Sequence, residues 1–179
     1  MITTENSALV VIDVQEKLTA VMNGREGFVK AAVMLAEGAG ILGLPVINCR
    51  QYPERLGDTI SELREKIDPF AQIDKKCFSA YKSEQFVTAL KDSGADYCII
   101  CGIESHICVC QTVIDLIRNN YKCYVVAEAV SSRAAENTEI ALQRMRQCGA
   151  QIVSAEMVLF EMLESSEHRG FKDISKLIR

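Results

Sequence analysis

Three places in the chain carry side chains whose type and setting could do chemistry. Cys108 lies in CGIESHICVCQT, residues 101–112, where an apolar run ends at Gly102 and a helical pattern starts. About one turn into that helix, a thiol meets the positive end of the helix dipole and unpaired backbone N–H groups, which favour thiolate. Those groups can also hold an oxyanion beside the sulfur. Asp13 closes the apolar run ALVVIDV, residues 8–14, where a carboxylate is costly unless paired or hydrogen-bonded. On its own it reads equally well as the cap of a nearby turn. Lys75 and Lys76 stand in IDKKCFSAY, and a lysine before an apolar–aromatic stretch is ordinarily a solvated surface charge.

Other catalytic arrangements are poorly supported. The chain has no G-x-S-x-G, no P-loop and no G-x-G-x-x-G after its first strand. It has two histidines, His106 and His168, too few for a convincing serine triad or metal centre. His106 is two residues from Cys108 and near a helix start it would tend to point away from it. Cys110 is likewise two residues on and shares no helix face with Cys108. Cys98 and Cys101 share a strand-like run rather than a turn, which argues against zinc.

The elements that must position these residues alternate between apolar runs and amphipathic stretches. Strands are expected at 8–14, 45–49, 97–101, 123–127 and 151–154. Helices are expected at 27–42, from Ser83 to Gly94, at 106–119, at 136–148, and in two C-terminal pieces, 158–163 and 171–178. Residues 50–74, with Pro53, Gly57 and Pro69, read as irregular apart from a short helix near 60–67. Unbroken apolar strands separated by helices with one polar face signal a parallel sheet covered on both sides, an α/β/α sandwich. Ligands of such sheets bind at the carboxyl ends of the strands, here residues 13–15, 49–53, 102–108 and 127–133.

Composition narrows the classes further. The chain of 179 residues is 49% hydrophobic and 25% charged, with a net charge of −4, and one domain over 1–179 is expected. An acidic chain offers no basic footprint for nucleic acid or an anionic membrane. No segment reads as an export signal or a membrane span, so a cytoplasmic location is expected, with the eight cysteines as reduced thiols.

Taken together, VVIDVQ at 10–15, KKCFSAY at 75–81, GIESHICVCQTVIDL at 102–116, YVVAEAVSSR at 124–133 and ALQRMRQCGA at 141–150 resemble the isochorismatase-like cysteine hydrolase superfamily. The resemblance covers nearly the whole chain and is nearest to its small single-domain members. It implies a six-stranded parallel sheet and a triad of Asp13, Lys75 and Cys108, with Lys76 as the alternative lysine. It implies a non-proline cis peptide at Ile103–Glu104, which aims the Glu104 N–H with that of Cys108 into an oxyanion hole. It further implies hydrolysis of a small amide or related C–N bond through a thioester, with no cofactor, and assembly into homo-oligomers. The segment from Val158 onward is a candidate contact between copies and reads equally well as packing on its own domain. Gln15, Arg50, Gln51 and Tyr52 are candidates to line the pocket of a small-molecule substrate, and Arg50, Gln51 and Tyr52 read equally well as ordinary loop residues. No histidines between Arg50 and Ser83 match the metal set of nicotinamidase-type members, so no metal is expected. The retained cysteine argues against vinyl-ether hydrolysis. A non-enzymatic thiol, redox-sensing or interaction role on the same fold is the alternative.

Overall fold

The computed structural model describes all 179 residues. β1 (Ser7–Ile12) is buried at all six positions because helices cover both its faces. Leu9 and Val11 join a core with α2 (Arg25–Leu42), α8 (Ala155–Leu163) and α9 (Phe171–Leu177). Ala8, Val10 and Ile12 join a second core with α5 (Glu84–Asp92), α6 (Cys110–Arg118) and α7 (Ala135–Gln147). Alternating side chains thus feed two apolar layers, which is why the strand reads as a continuous apolar run. Three single turns, α1 (Glu16–Thr19), α3 (Pro53–Leu56) and α4 (Ser61–Arg64), shape the loops at the carboxyl ends of β1 and β2 (Val46–Gln51).

The sheet has six strands in the order β3-β2-β1-β4-β5-β6, and every pairing is parallel. The remaining strands are β3 (Ala71–Lys75), β4 (Tyr97–Ile103), β5 (Lys122–Ser131) and β6 (Gln151–Val153). The order reverses at β1, where β2 lies on one side and β4 on the other. This topological switch opens a crevice at the carboxyl edge.

Several local expectations are corrected. β3 lies within the segment expected to be irregular. It is an edge strand in which only Ile73 and Lys75 are buried, so it shows alternation rather than an apolar run. The helix expected near 60–67 is only the turn α4. The helix expected over 106–119 begins instead as a π-helical turn, Ser105–Val109, before α6, and Ile117 is half-buried. Ser83 is the N-cap of α5, but its hydroxyl makes no capping bond. In the C-terminal segment, Val158, Leu159, Met162 and Leu163 pack on the chain's own core, leaving Met157 and Phe160 exposed. No helix is long and apolar enough to cross a membrane.

Candidate active site

The turn after β1 delivers a carboxylate into the crevice. Asp13 adopts a left-handed backbone, φ 55°, a region that aspartate tolerates better than most residues. Its N–H donates to Cys49 O at 2.9 Å and its carbonyl accepts from Gln15 N at 2.8 Å. At the end of β3, two strands away, Lys75 sends its ammonium inward. Nζ lies 2.8 Å from Asp13 Oδ2, with both side chains fully buried. Nζ also donates to Gln51 Oε1 at 2.7 Å, Phe78 O at 3.2 Å and Cys77 O at 3.3 Å. A buried ammonium with four acceptors is fully satisfied, so the ion pair is tolerated in an apolar setting.

Oδ1 of Asp13 has no hydrogen-bond partner. The Cys108 thiol is the other polar group acting on this carboxylate. Burial pushes the Asp13 carboxyl above its ordinary value, against the pull of Lys75. Burial, and then the Asp13 charge, push the Cys108 thiol up, while Lys75 opposes them. The helix start and Lys75, which the sequence reading has favouring thiolate, are thus opposed by burial and by the Asp13 carboxylate. Desolvation and a carboxylate neighbour outweigh the favourable peptide dipoles, so the net push on the thiol is upward.

The nucleophile turn is set mostly by backbone. Gly102, φ 132°, brings β4 against β1 so closely that a Cβ would fall on the carbonyl oxygen of Ile12. The next peptide, Ile103–Glu104, is cis, at the position the resemblance implied. Val109 N donates to Glu104 O at 3.2 Å, the five-residue spacing of a π turn, a device common at functional sites. The Glu104 N–H has no acceptor in the protein. Its carboxylate accepts from Arg133 N at 3.2 Å and Arg133 Nε at 3.1 Å. Thr112 then ties this turn to the lysine loop. Its hydroxyl donates to Cys108 O at 2.7 Å and accepts from Ala80 N at 2.9 Å. Ser79 Oγ adds a second tie, to Asp115 Oδ2 at 2.8 Å.

The structure brings Asp13, Lys75, Cys108, Ile103 and Glu104 to one crevice and separates the remaining expected residues by role. Lys76 is exposed, its Nζ 4.9 Å from the Tyr52 ring centroid. Of the four expected pocket residues, Gln15 is fully buried and braces backbone. It binds Gln51 O, Gly57 O and Gln51 N at 3.0, 2.7 and 2.6 Å. Gln51 Oε1 accepts from Lys75 Nζ. Arg50 forks onto Asp74 and also pairs with Asp58, so its guanidinium is committed to two carboxylates. Tyr52 stands at the rim with a half-buried ring. His106 Nδ1 lies 2.9 Å from Ser132 Oγ, away from the thiol.

Sequence reasoning misses Thr112 and Arg133, although each carries a signal. Thr112 is four residues after Cys108, the spacing at which a threonine hydroxyl reaches a helical carbonyl. Arg133 lies at the carboxyl end of β5, an edge that the sheet rule marks for ligands. No three of the His, Cys, Asp and Glu side chains group as a metal site would need.

A family model described as Isochorismatase domain matches residues 7–157. The chain is similar to the secreted isochorismatase effector Isc1 of Phytophthora sojae, with 35% identity over 179 residues, 97% of this chain and 85% of that protein. Among solved structures it is similar to one described as MAR1 ribonuclease from Caenorhabditis elegans. That similarity has a TM-score of 0.93 and 35% identity and covers 99% of this chain and 91% of that one. It shares its fold with the YcaC gene product of Escherichia coli, described as an octameric hydrolase of unknown specificity. There the TM-score is 0.92 at 22% identity, over 98% of this chain and 89% of that one.

Proposed function

The chain belongs to the isochorismatase domain family, and we propose that within it the protein is a cysteine hydrolase of a small amide or related C–N bond. The observation that carries this reading is the fully buried Lys75–Asp13 pair at 2.8 Å, with Oδ1 of Asp13 left without a hydrogen-bond partner in the crevice that holds Cys108. In the free protein the proton rests on sulfur. When a carbonyl enters, Oδ1 takes that proton and the thiolate attacks the carbonyl carbon, forming a C–S bond. The developing oxyanion accepts from the N–H groups of Glu104 and Cys108. Asp13 then passes the proton to the departing nitrogen, the C–N bond breaks and an amine leaves. Water, deprotonated by Asp13, attacks the thioester, and the C–S bond breaks to release acid and thiol. Throughout, Lys75 holds Oδ2, which leaves Oδ1 free for the proton transfers.

Assembly into homo-oligomers is supported by the octameric description of the Escherichia coli fold neighbour. Eight free thiols suit a reducing cytoplasm, although the Phytophthora sojae relative is described as secreted.

The decisive experiment exposes the protein to a mixture of small amides and reads Cys108 by mass spectrometry, alongside turnover by wild type and Cys108→Ala. A trapped acyl group and a loss of turnover beyond 1000-fold (order of magnitude, for a nucleophile) are expected, with an unchanged melting temperature. Full activity in Cys108→Ala would overturn the reading. Cys108 that alkylates rapidly without any amide turnover would favour the thiol-sensor role instead. RNA belongs in the same screen because the Caenorhabditis elegans neighbour is described as a ribonuclease. RNA cleavage that survives Cys108→Ala would replace the amide reading.

A further inference from the structure

Beside the crevice, two cations flank one aromatic ring and a third is tied to the same loop, none of them with a carboxylate partner. Tyr52 follows β2 in a left-handed conformation, φ 40°, and its N–H donates to Lys75 O at 2.9 Å, which fixes it against the lysine strand. Arg55 Cζ lies 5.3 Å from its ring centroid and Lys76 Nζ lies 4.9 Å away. Lys17 Nζ donates to Arg55 O at 2.7 Å, adding a third positive charge. Arg55, Lys76 and Lys17 are all exposed.

The contrast with neighbouring cations is informative. Around the same edge, Arg50, Arg64, Lys75 and Arg133 each meet a carboxylate within 4 Å. Lys17, Arg55 and Lys76 meet none: Glu16 and Glu54, next to Lys17 and Arg55 in the chain, pair with no cation, and Asp74, the acid nearest Lys76 in sequence, is taken by Arg50. In a chain of net charge −4, a local set of cations without salt-bridge partners can attract an anion. Hydrogen bonds also brace the set. Gln51, which holds the Lys75 ammonium through Oε1, binds Lys76 O through Nε2 at 2.8 Å.

We propose that Tyr52, Arg55 and Lys76, with Lys17 behind them, form a subsite for a carboxylate on the substrate, at the end remote from the scissile carbonyl. This rests on the cysteine hydrolase reading and extends it to a substrate class, an amide that also carries an acid. The spacing suits a small molecule. The nucleophile turn follows β4 and Tyr52 follows β2, two strands apart, which at ~4.8 Å per strand is roughly 10 Å. That is the reach of an amide carbonyl and a carboxylate separated by a few bonds.

The test uses two alkylating amides that differ in one end group, N-chloroacetyl-β-alanine and the neutral N-propyl chloroacetamide. With either, the Cys108 thiol gives its proton to Asp13, sulfur displaces chloride and a C–S bond replaces the C–Cl bond. Alkylation of the Cys108 peptide is followed by mass spectrometry, and the ratio of rates, acid over neutral, is compared with the ratio for mercaptoethanol in the same buffer. A ratio roughly fivefold or more above that reference is expected at low salt. It should fall towards the reference in Arg55→Gln/Lys76→Gln. It should fall likewise in wild type when ionic strength rises from about 0.01 M to about 1 M, which shortens the Debye length from about 30 to about 3 Å. A Cys108 that reacts with both probes at the reference ratio, or with a preference that the double variant leaves intact, would overturn the subsite alone. A Cys108 inert to both probes would overturn the nucleophile reading and the subsite with it.

Discussion

The two sides of the crevice are built by different means. On the β1–β4 side, main chain does the positioning: a buried central strand, a left-handed Asp13, a close approach at Gly102, a cis peptide and a π turn. On the β3 side, Lys75 leaves an edge strand and is held by a side-chain amide, two loop carbonyls and the carboxylate it faces. Backbone placement is rigid because it is shared by the whole sheet. Side-chain placement can be removed one hydrogen bond at a time. The proposed nucleophile and base therefore stand on the scaffold, while the lysine stands on contacts that mutation can dissect.

The largest expected effect is a split in sign between the two sides. Asp13 raises the Cys108 thiol and Lys75 lowers it, so removing either moves the thiol in opposite directions. In Asp13→Asn the ammonium stays and the carboxylate charge goes, so the inflection in the pH profile of Cys108 alkylation moves down. In Lys75→Met only the lowering charge is lost, and the inflection moves up. Both variants lose amide turnover, Asp13→Asn by about 10²–10⁴-fold as expected for loss of a general base. Iodoacetamide labelling across pH, read at the Cys108 peptide, checks the signs. Shifts in the same direction would break the assignment of opposed roles.

The scaffold side is tested by glycines. In Gly102→Ala the new Cβ lands on the backbone of Ile12, which cannot move without disturbing β1 and Asp13. A cost of about 3 kcal/mol in chemical denaturation is expected, with loss of activity in whatever still folds. Gly94, φ 70°, is also left-handed, but a Cβ there would have nothing within 4 Å, so Gly94→Ala carries only the conformational penalty of about 1 kcal/mol. Equal costs at the two positions would show that the close approach at Gly102 is not what holds the crevice.

The same contrast explains what is legible in the sequence. β1 and β4 are apolar on both faces, so their runs, and the residues closing them, stand out as strands ending in Asp13 and in the Cys108 turn. β3 buries two side chains in five and one of them is the lysine itself, so its pattern resembles a polar loop. Periodicity reports burial of apolar groups and is blind to a charged side chain turned inward. Lys75 is reached through resemblance to a family rather than through its own surroundings. Arg50, Gln15 and Gln51 fall at the right edge, but side-chain direction and partner decide their roles, and sequence position carries neither. The upward push on the thiol escapes the sequence for a related reason: a helix start is visible there, whereas burial beside a carboxylate two strands from its lysine is not.

The smallest expected effect concerns the link between the two sides. Thr112 is fully buried, and its hydroxyl joins Cys108 O to Ala80 N, so it couples the nucleophile turn to the loop whose carbonyls cradle Lys75. Thr112→Val keeps the shape and removes the hydroxyl, leaving the buried Ala80 N–H unpaired. A buried donor without a partner costs about 1–3 kcal/mol, and the low end is expected because the loop can relax towards solvent at exposed Phe78. If Thr112 were only a packing residue, stability would fall and the pH profile of Cys108 alkylation would stay in place. If it holds the lysine loop against the nucleophile turn, the loop relaxes, Lys75 acts less on the thiol and the inflection moves up, in the direction of Lys75→Met but less far. Thr112→Ser restores the hydroxyl without the methyl and should return the inflection to its wild-type position even where some stability is lost. An inflection unchanged in Thr112→Val would mean that Lys75 is held by Asp13 and Gln51 alone and that the two sides of the crevice are independent.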